Sequence, residues 1–599
     1  VTDGEGYTTA YTYDQNENVL TETDPLGNVS SYAYDAAGNC ISKTAPDGTV
    51  TSYVYDAAGN QTAVRYPDGS EEISVYDERG NEISATDRNG NTITYTYDAM
   101  GRCIQTGYPD GTEELASFDS NGNLLSSTDR LGNTTVYTYD RNGNVLTETD
   151  PLGNVTAYTY DGSGQMTEKL LPTGAKEIYA YDAITGYMTG YTAASGETHS
   201  YEYDGEGNVT AEYLNGTLVE QTEYDSMGRV LAHSYADGSR ESYAYDLAGN
   251  VIFTEDVSGI SYYYTYDGNG HMLSKSDAED HTVTFVYDQN GRLETVTDEL
   301  GGVIRYTYDS MGNRVSQTDQ NGNTTVYAYD RNGNITEEQK PSGTVTFSTY
   351  DQDDNLTEQL LPDGTRKTYT YDAAGHTLTE TDSLGNTVSY TYDAAGNCTG
   401  ITDALGQSMQ ITYDALGNKT SETVPSGTDT WTYNEAGQLV EERKASGSVT
   451  HYSYDSYGRI AASESDGSIL SYSYDLPGNV SDVTDGDGNT VHYTYDPAGR
   501  LLETLYADGT KDIYSYDELG QLQEKTAYDG LVTDYLYDEA GRCVAELSQE
   551  SSIYYEYDAA GQVTAREENG ARTEYSLNED GLIVGATDEA GNPYQYTYD

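Results

Sequence analysis

Short stretches of Tyr, Thr, Val and Ser are broken roughly every ten residues by Gly or Asp-Gly. In Thr135-Val136-Tyr137-Thr138-Tyr139 the side chains alternate with period two. Successive side chains of a strand point to opposite faces, so Tyr137 and Tyr139 share one face. Helices are excluded, because the punctuation leaves no room for one of ordinary length with its caps. The pattern predicts short antiparallel strands joined by tight turns, and an all-β fold.

The strands belong to a repeat. Tyr-Asp recurs at Tyr13-Asp14, Tyr34-Asp35, Tyr55-Asp56 and onward to Tyr598-Asp599, giving 29 anchors, nearly all 21 residues apart. The step to Tyr203 is 22, and those to Tyr433, Tyr474, Tyr557 and Leu577 are 20. Phe118 and Leu577 replace the anchor Tyr, and Asn434 and Asn578 replace the anchor Asp. A second aromatic precedes the anchor Tyr by two residues; Phe285 and Trp431 also serve there, so that register asks for a ring more than a hydroxyl.

Two turns follow each anchor. Asp35-Ala36-Ala37-Gly38 and Asp24-Pro25-Leu26-Gly27 carry Asp first and Gly fourth, which is type I turn chemistry. Asp354 stands at a Gly position and tolerates a left-handed backbone, whereas Glu17 is harder to accommodate there. Near Asp182 both glycines slip by one, to Gly186 and Gly196.

About 28 repeats of two strands make a hairpin ribbon roughly 270 Å long and 24 Å wide. Open twisted sheets rarely exceed ~10 strands without curling, so the ribbon must coil. Closed over a sphere, its area leaves a cavity of about 18 Å radius, just enough for a domain of ~17 Å outer radius. Geometry leaves two arrangements open: a hollow coil, and a stacked solenoid without a cavity.

Composition narrows the function. The chain has 101 acidic and 29 basic residues and a net charge of −72. That excludes nucleic acid as a partner and disfavours anionic membranes. Only 35% of residues are hydrophobic, a balance that leans towards disorder, but the regular placement of 63 Tyr argues for order. No apolar run reaches the ~20 residues of a spanning helix. Val1-Thr2-Asp3-Gly4 does not begin a signal peptide.

Tyr137-Thr138-Tyr139-Asp140-Arg141-Asn142-Gly143-Asn144 and Tyr390-Thr391-Tyr392-Asp393-Ala394-Ala395-Gly396-Asn397 resemble the YD repeat of the Rhs family. That family includes bacterial polymorphic toxins, wall-associated proteins and the shells of insecticidal toxin complexes, with related repeats in animal teneurins. The resemblance covers the whole chain. It implies a β-strip spiralling into a hollow shell around a C-terminal cargo, often a toxin. Family shells end in a core motif rich in Asp-Pro, Gly-Leu and Arg-Tyr-Tyr-Asp-Pro, near which some members cleave themselves with an aspartyl site. No position here matches either, so no catalytic residue is carried over. Residues 1–599 read as one continuous repeat region, cut mid-repeat at both ends from a larger protein.

The tempting sites have plainer explanations. Cys40, Cys103, Cys398 and Cys543 each lie five residues after an anchor Asp, where other repeats place Val19 or Leu124. They read as small strand residues, and Cys40 and Cys103 lie about 29 Å apart along the ribbon, beyond the ~7 Å a disulfide allows. Asp485-Gly486-Asp487-Gly488-Asn489 alternates like a calcium loop but lacks the twelfth-position Glu and occupies a turn register. His199 has the parity of the tyrosines, His451 and His492 the opposite one, and no constellation breaks the repeat as a catalytic centre should. The tyrosine ladder reads as cross-strand packing. Glycan stacking, if present, is expected where repeats depart from the norm, between Thr185 and Gly196, through Tyr187 and Tyr191.

The expectation is a non-enzymatic shell segment of a secreted or surface bacterial protein, without catalytic, cofactor or metal residues. Its partner is a C-terminal cargo domain of the same polypeptide. The alternatives are an adhesion protein binding surface glycans or cell-wall polymer and, less favoured, a hydrolase.

Overall fold

The computed structural model describes residues 1–598. Its 57 strands form one sheet, and each strand pairs antiparallel with the next, from Ala10–Tyr13 to Pro593–Gln595. No helix occurs among the described residues. The sheet does not close on itself, as predicted for a ribbon.

Each repeat is built from two hairpins of different character. In the second, the strands meet in regular register, as where Ser126, Ser127 and Thr128 face Val136, Thr135 and Thr134, except between Glu212 and Tyr213. In the anchor hairpin the register shifts: Tyr139 faces Val145 but Thr138 faces Thr147, so Leu146 has no partner. That is a β-bulge. It recurs in anchor hairpins along the chain, for example at Tyr13, Tyr245 and Tyr474. A bulge bends its strand and increases local twist. Repeated every second strand, it coils the ribbon.

Successive coils of this open ribbon are stitched to one another through their loops. Glu5 accepts a hydrogen bond from the amide of Leu247 at 2.6 Å, 242 residues away. Asn269 reaches back to Asp24 across 245 residues, Asn290 to Asp47 across 243 and Asn332 to Asp87 across 245. Late in the chain the offset is similar, 237 for Asn321–Asp558 and 238 for Ser342–Asp580. Between them, along the same seam, it drifts to 223 for Arg130–Asp353 and 262 for Thr173–Glu435, so the meshing of the two coils shifts locally by about one repeat. An offset near 242 residues is about 11.5 repeats or 23 strands, a circumference of ~110 Å and a radius of ~18 Å.

The wall is one layer thick. Among the described residues no hydrophobic side chain larger than alanine is buried: Ala175, Ala211, Ala232, Ala545, Ala565 and Ala586 make up that set. The accessible surface is 32330 Å², against about 20,600 Å² for a compact protein of this mass. A solid solenoid would bury the face between its sheets, so the hollow arrangement holds. Subtracting ~5 Å for inward side chains leaves a lumen of about 13 Å radius. That is narrower than the spherical estimate, because the chain makes about two and a half coils of an open tube.

Candidate functional site

The candidate functional element is the wall itself, and its chemistry begins at the anchor. The amide of Asp35 donates to the carbonyl of Asn39 at 3.0 Å, and Gly38 donates back to the carbonyl of Asp35 at 3.1 Å. Gly38 has φ 91°, the left-handed conformation that makes glycine the preferred residue after a type I turn. The Asp35 carboxylate accepts from the amides of Ala37 and Asn39 and from the Asn39 side chain, all at 2.8–2.9 Å. The Asn39 side chain and the turn amides hold that carboxyl below the usual aspartate range. Asp354 adopts φ 61° as expected, and Glu17 is forced to φ 68°.

In the sequence the residue four after the anchor stands out only as part of the motif. The structure gives it a role. As Asn it seals the turn; as Arg it also reaches the next repeat. Arg229 binds Asp225 through Nε at 2.7 Å, donates to the Asp246 carbonyl and lies 4.5 Å from the Tyr245 ring centre. His271 and His376 bind their anchor carboxylates and stack on Tyr287 and Tyr392 at 4.7 Å.

The anchor hydroxyl also has a partner. Tyr139 donates to the carbonyl of Leu124, at the entrance to the preceding bulge, at 2.8 Å. The bond recurs at Tyr55–Cys40, Tyr287–Met272 and Tyr413–Cys398. This accounts for the dominance of Tyr at the anchor. Phe118 is held instead by Arg102, 4.8 Å over its ring. In the first aromatic register the polar tip bonds to a glutamate when one is near, as Tyr32 and Trp431 do with Glu22 and Glu442. Replacing Tyr139 by Phe is expected to cost about 1 kcal/mol, one hydrogen bond. Hydrogen exchange across 113–149 should then quicken about fivefold, with strand content unchanged.

The two faces of the wall differ. Tyr137 and Tyr139 are half-buried, whereas Val136 and Thr138 on the other face are exposed. The tyrosine face carries acids such as Glu22 and Glu148, which burial and hydrogen bonding couple to Tyr32 and Tyr158. The other face is tied by hydroxyl pairs, Thr12–Thr21 and Thr138–Thr147 at 2.6 Å.

Between coils, the second turns of one coil meet the anchor turns of the next. Asn89 and Asn332 show the stitch: the Asn89 amide donates to Asn332 Oδ1, its side chain to Asp330, and Asn332 to Asp87. Arg130 bridges Asp110 and Asp353 at 2.8 and 2.6 Å. A cleft of about 520 Å³ opens at this seam, with Glu212, Glu220 and Glu241 on one side and Leu476, Pro477 and Pro497 on the other.

The remaining predicted residues are scattered. The four cysteines are unpaired thiols, each donating to the carbonyl two residues on, as in Cys40–Ser42. Asp485 accepts from the amides of Asp487 and Asn489, so its loop is a wall turn. His199 pairs with Glu212 at 3.0 Å, His451 with Glu441, and His492 with Asp482. Tyr187 packs on Tyr203 at 4.9 Å, and Tyr191 lies between Tyr179 and His199. The structure does not bring the histidines, cysteines and Asp485 together.

These features define a class of protein: a coiled, single-layer β wall assembled from tyrosine–aspartate hairpins. The RHS Repeat family model matches eleven segments between residues 34 and 593, covering more than half of the chain, and the Teneurin YD-shell model matches residues 174–335. The chain belongs to the RHS repeat family. No curated protein sequence matches it. Among solved structures it is similar to TcdB2-TccC3, with 14% identity, 98% of this chain and 41% of that one covered, and a TM-score of 0.61. TcdB2-TccC3 without its hypervariable C-terminal region gives 13% identity, 98% and 42% coverage and a TM-score of 0.61. The Photorhabdus luminescens Tc holotoxin pore gives 14%, 97% and 42%, and 0.59. At that identity the likeness shows the fold, and this chain spans about two-fifths of each.

Proposed function

We propose that this chain is the non-enzymatic wall of a container in a secreted or surface bacterial protein, enclosing a C-terminal cargo domain of the same polypeptide. The observation that carries this reading is the one-layer coil, in which no hydrophobic side chain larger than alanine is buried among the described residues. The similar TcdB2-TccC3 protein has a hypervariable C-terminal region, which supports a variable cargo, such as a toxin, following a constant shell. A lumen of about 13 Å radius is too narrow for a compact domain of ~17 Å radius, and accepts a folded domain of only ~50 residues or a longer chain that is unfolded. High negative charge keeps so much β surface soluble and self-repelling.

Single-particle electron microscopy of the longest polypeptide carrying this chain tests the reading. Density inside the coiled wall is expected, and that density should be shielded from added protease. An empty lumen, with the following domain outside and digested at its free rate, would overturn it.

A further inference from the structure

We propose that one stretch of the seam is a lateral gate, where two neighbouring coils part reversibly while the joints on either side hold. The stretch sets second turns from Tyr235 to Leu300 against anchor turns from Asp475 to Gly541. It is bounded by Asn215–Ser456 at 2.7 Å and by Asn321–Asp558 at 2.9 Å. About five repeats separate these stitches on each coil, so the turns are matched in number. Among the described residues no hydrogen bond or ion pair crosses the seam between them. Joints resume at Asp558 and Asp580, so the gap lies between stitched stretches.

The missing half of the joint is visible in the sequence. Stitched anchor turns carry Asn269, Asn290 and Asn332 two residues after the anchor, donating to Asp24, Asp47 and Asp87. Here Pro477, Ala498, Leu519 and Ala540 hold that place and offer no side-chain donor. The acceptors remain. Asp256, Asp277 and Asp298 stand as far before Ala498, Leu519 and Ala540 as Glu5 stands before Leu247, 242 residues.

The groups enclosed along this stretch favour opening. Clefts of about 520 and 450 Å³ lie along it, against about 350 and 220 Å³ at the stitched turns of Asp353 and Asp580. Glu279 shares the second cleft with Asp517, Asp538 and Glu539 of the next coil, and His281 is the one basic residue in its lining. Like charges across the seam repel. Two buried polar atoms, Ser258 Oγ and Arg500 Nη1, lack protein partners. Arg102, Arg229 and Arg292, at the same place in their repeats, donate that nitrogen to the following anchor carbonyl. Parting the seam hydrates both atoms and removes the cost of leaving them unpaired. Apolar contact opposes this, as where Ile260 lies against Gly520. Salt sets the balance, because it screens the repulsion. The gate is a property of the wall, whatever the lumen holds.

Thiol labelling of the 599-residue chain tests the gate, with mass spectrometry reading each cysteine separately and the four native thiols as references. Ser258→Cys reports the gap. Ser70→Cys, at a residue 3% exposed between the stitches at Asp47 and Asp87, reports a stitched stretch. At about 10 mM ionic strength, where charges act over ~30 Å, Ser258→Cys is expected to label roughly tenfold faster than Ser70→Cys. About 0.5 M NaCl should slow it roughly threefold, and so should adding Ala498→Asn and Ala540→Asn, which supply the missing donors. Hydroxyl-radical footprinting of the unsubstituted chain gives a second reading. Ile260 and Leu519 should oxidise roughly threefold faster in low salt than in high, and Leu26 and Leu131 equally in both. Equal labelling of the two cysteines overturns the proposal. So does labelling indifferent to salt and to the added asparagines, or a footprint at Ile260 and Leu519 that salt leaves unchanged.

Discussion

Taken from pH 9 to pH 12, the protein is expected to lose its sheet in a steep alkaline transition. The tyrosines cause it. Burial and the neighbouring acids Glu22, Glu72, Glu114, Glu148 and Glu241 push Tyr32, Tyr66, Tyr108, Tyr158 and Tyr243 up to about 12. Anchor tyrosines such as Tyr55, Tyr287 and Tyr413 are raised as well, chiefly by burial. An unfolded tyrosine ionises near pH 10. Below that value both states keep the phenol proton and the full stability is present. Above it the unfolded chain ionises first, so stability falls as pH rises towards the folded values. Each phenolate also adds to a charge already at −72, and an ionised anchor loses its donated hydrogen bond. Absorbance at 295 nm and far-ultraviolet dichroism should move together, with tyrosine ionisation later and steeper than in urea. A gradual titration at pH 10 with the sheet intact would contradict this account.

Asp330→Ala is expected to open both a turn and the seam, at a cost of about 2–4 kcal/mol. Asp330 accepts from the amides of Gly333 and Asn334, from the Asn334 side chain, and from Asn89 on the preceding coil. Burial raises its carboxyl, but the bonds from Asn334 and Asn89 outweigh that and hold it below the usual aspartate range. Alanine leaves those donors unpaired. Asp330→Asn should cost only about 1 kcal/mol, because an amide oxygen still accepts from the turn. Asn434 already does this, bonding the amides of Ala436 and Gln438. In a repeat protein the damage is local, so the readout is hydrogen exchange. Protection should fall across Thr324–Gln339 and at 87–91 in Asp330→Ala, and stay near normal elsewhere. Equal behaviour of the Ala and Asn variants would show that the carboxylate is not the turn's organising group.

The strands, turns and tyrosine parity were legible in the sequence because each is set by neighbours in the chain. Asp35 and Gly38 specify their turn within four residues, and alternation places Tyr137 and Tyr139 on one face. The bulge at Leu146 was not legible. It is a property of pairing, visible only once Tyr139 is set against Val145. For the same reason the anchor hydroxyl lacked an evident purpose until the Leu124 carbonyl stood opposite it. The seam was further out of reach. Its offset accumulates small bends over some 23 strands, and no local signal fixes that sum. The Asn two residues after an anchor was a partial clue, since the turn needs no side chain there.

The drifting offset of the seam has a consequence for how such walls change length. Stitches at 223, 242 and 262 residues coexist in one chain, so the match between neighbouring coils shifts by about a repeat along the seam while contact is kept. The coils mesh like a rack whose teeth are nearly alike. A duplicated or deleted repeat would therefore shift the teeth by one place and leave them engaged. Asn18–Val29 and Asn144–Val155 are identical stretches of sequence, the kind of near-copy from which such a gain or loss proceeds. Wall height, and with it the room inside, can change in steps of one hairpin pair while the chemistry of each joint stays constant.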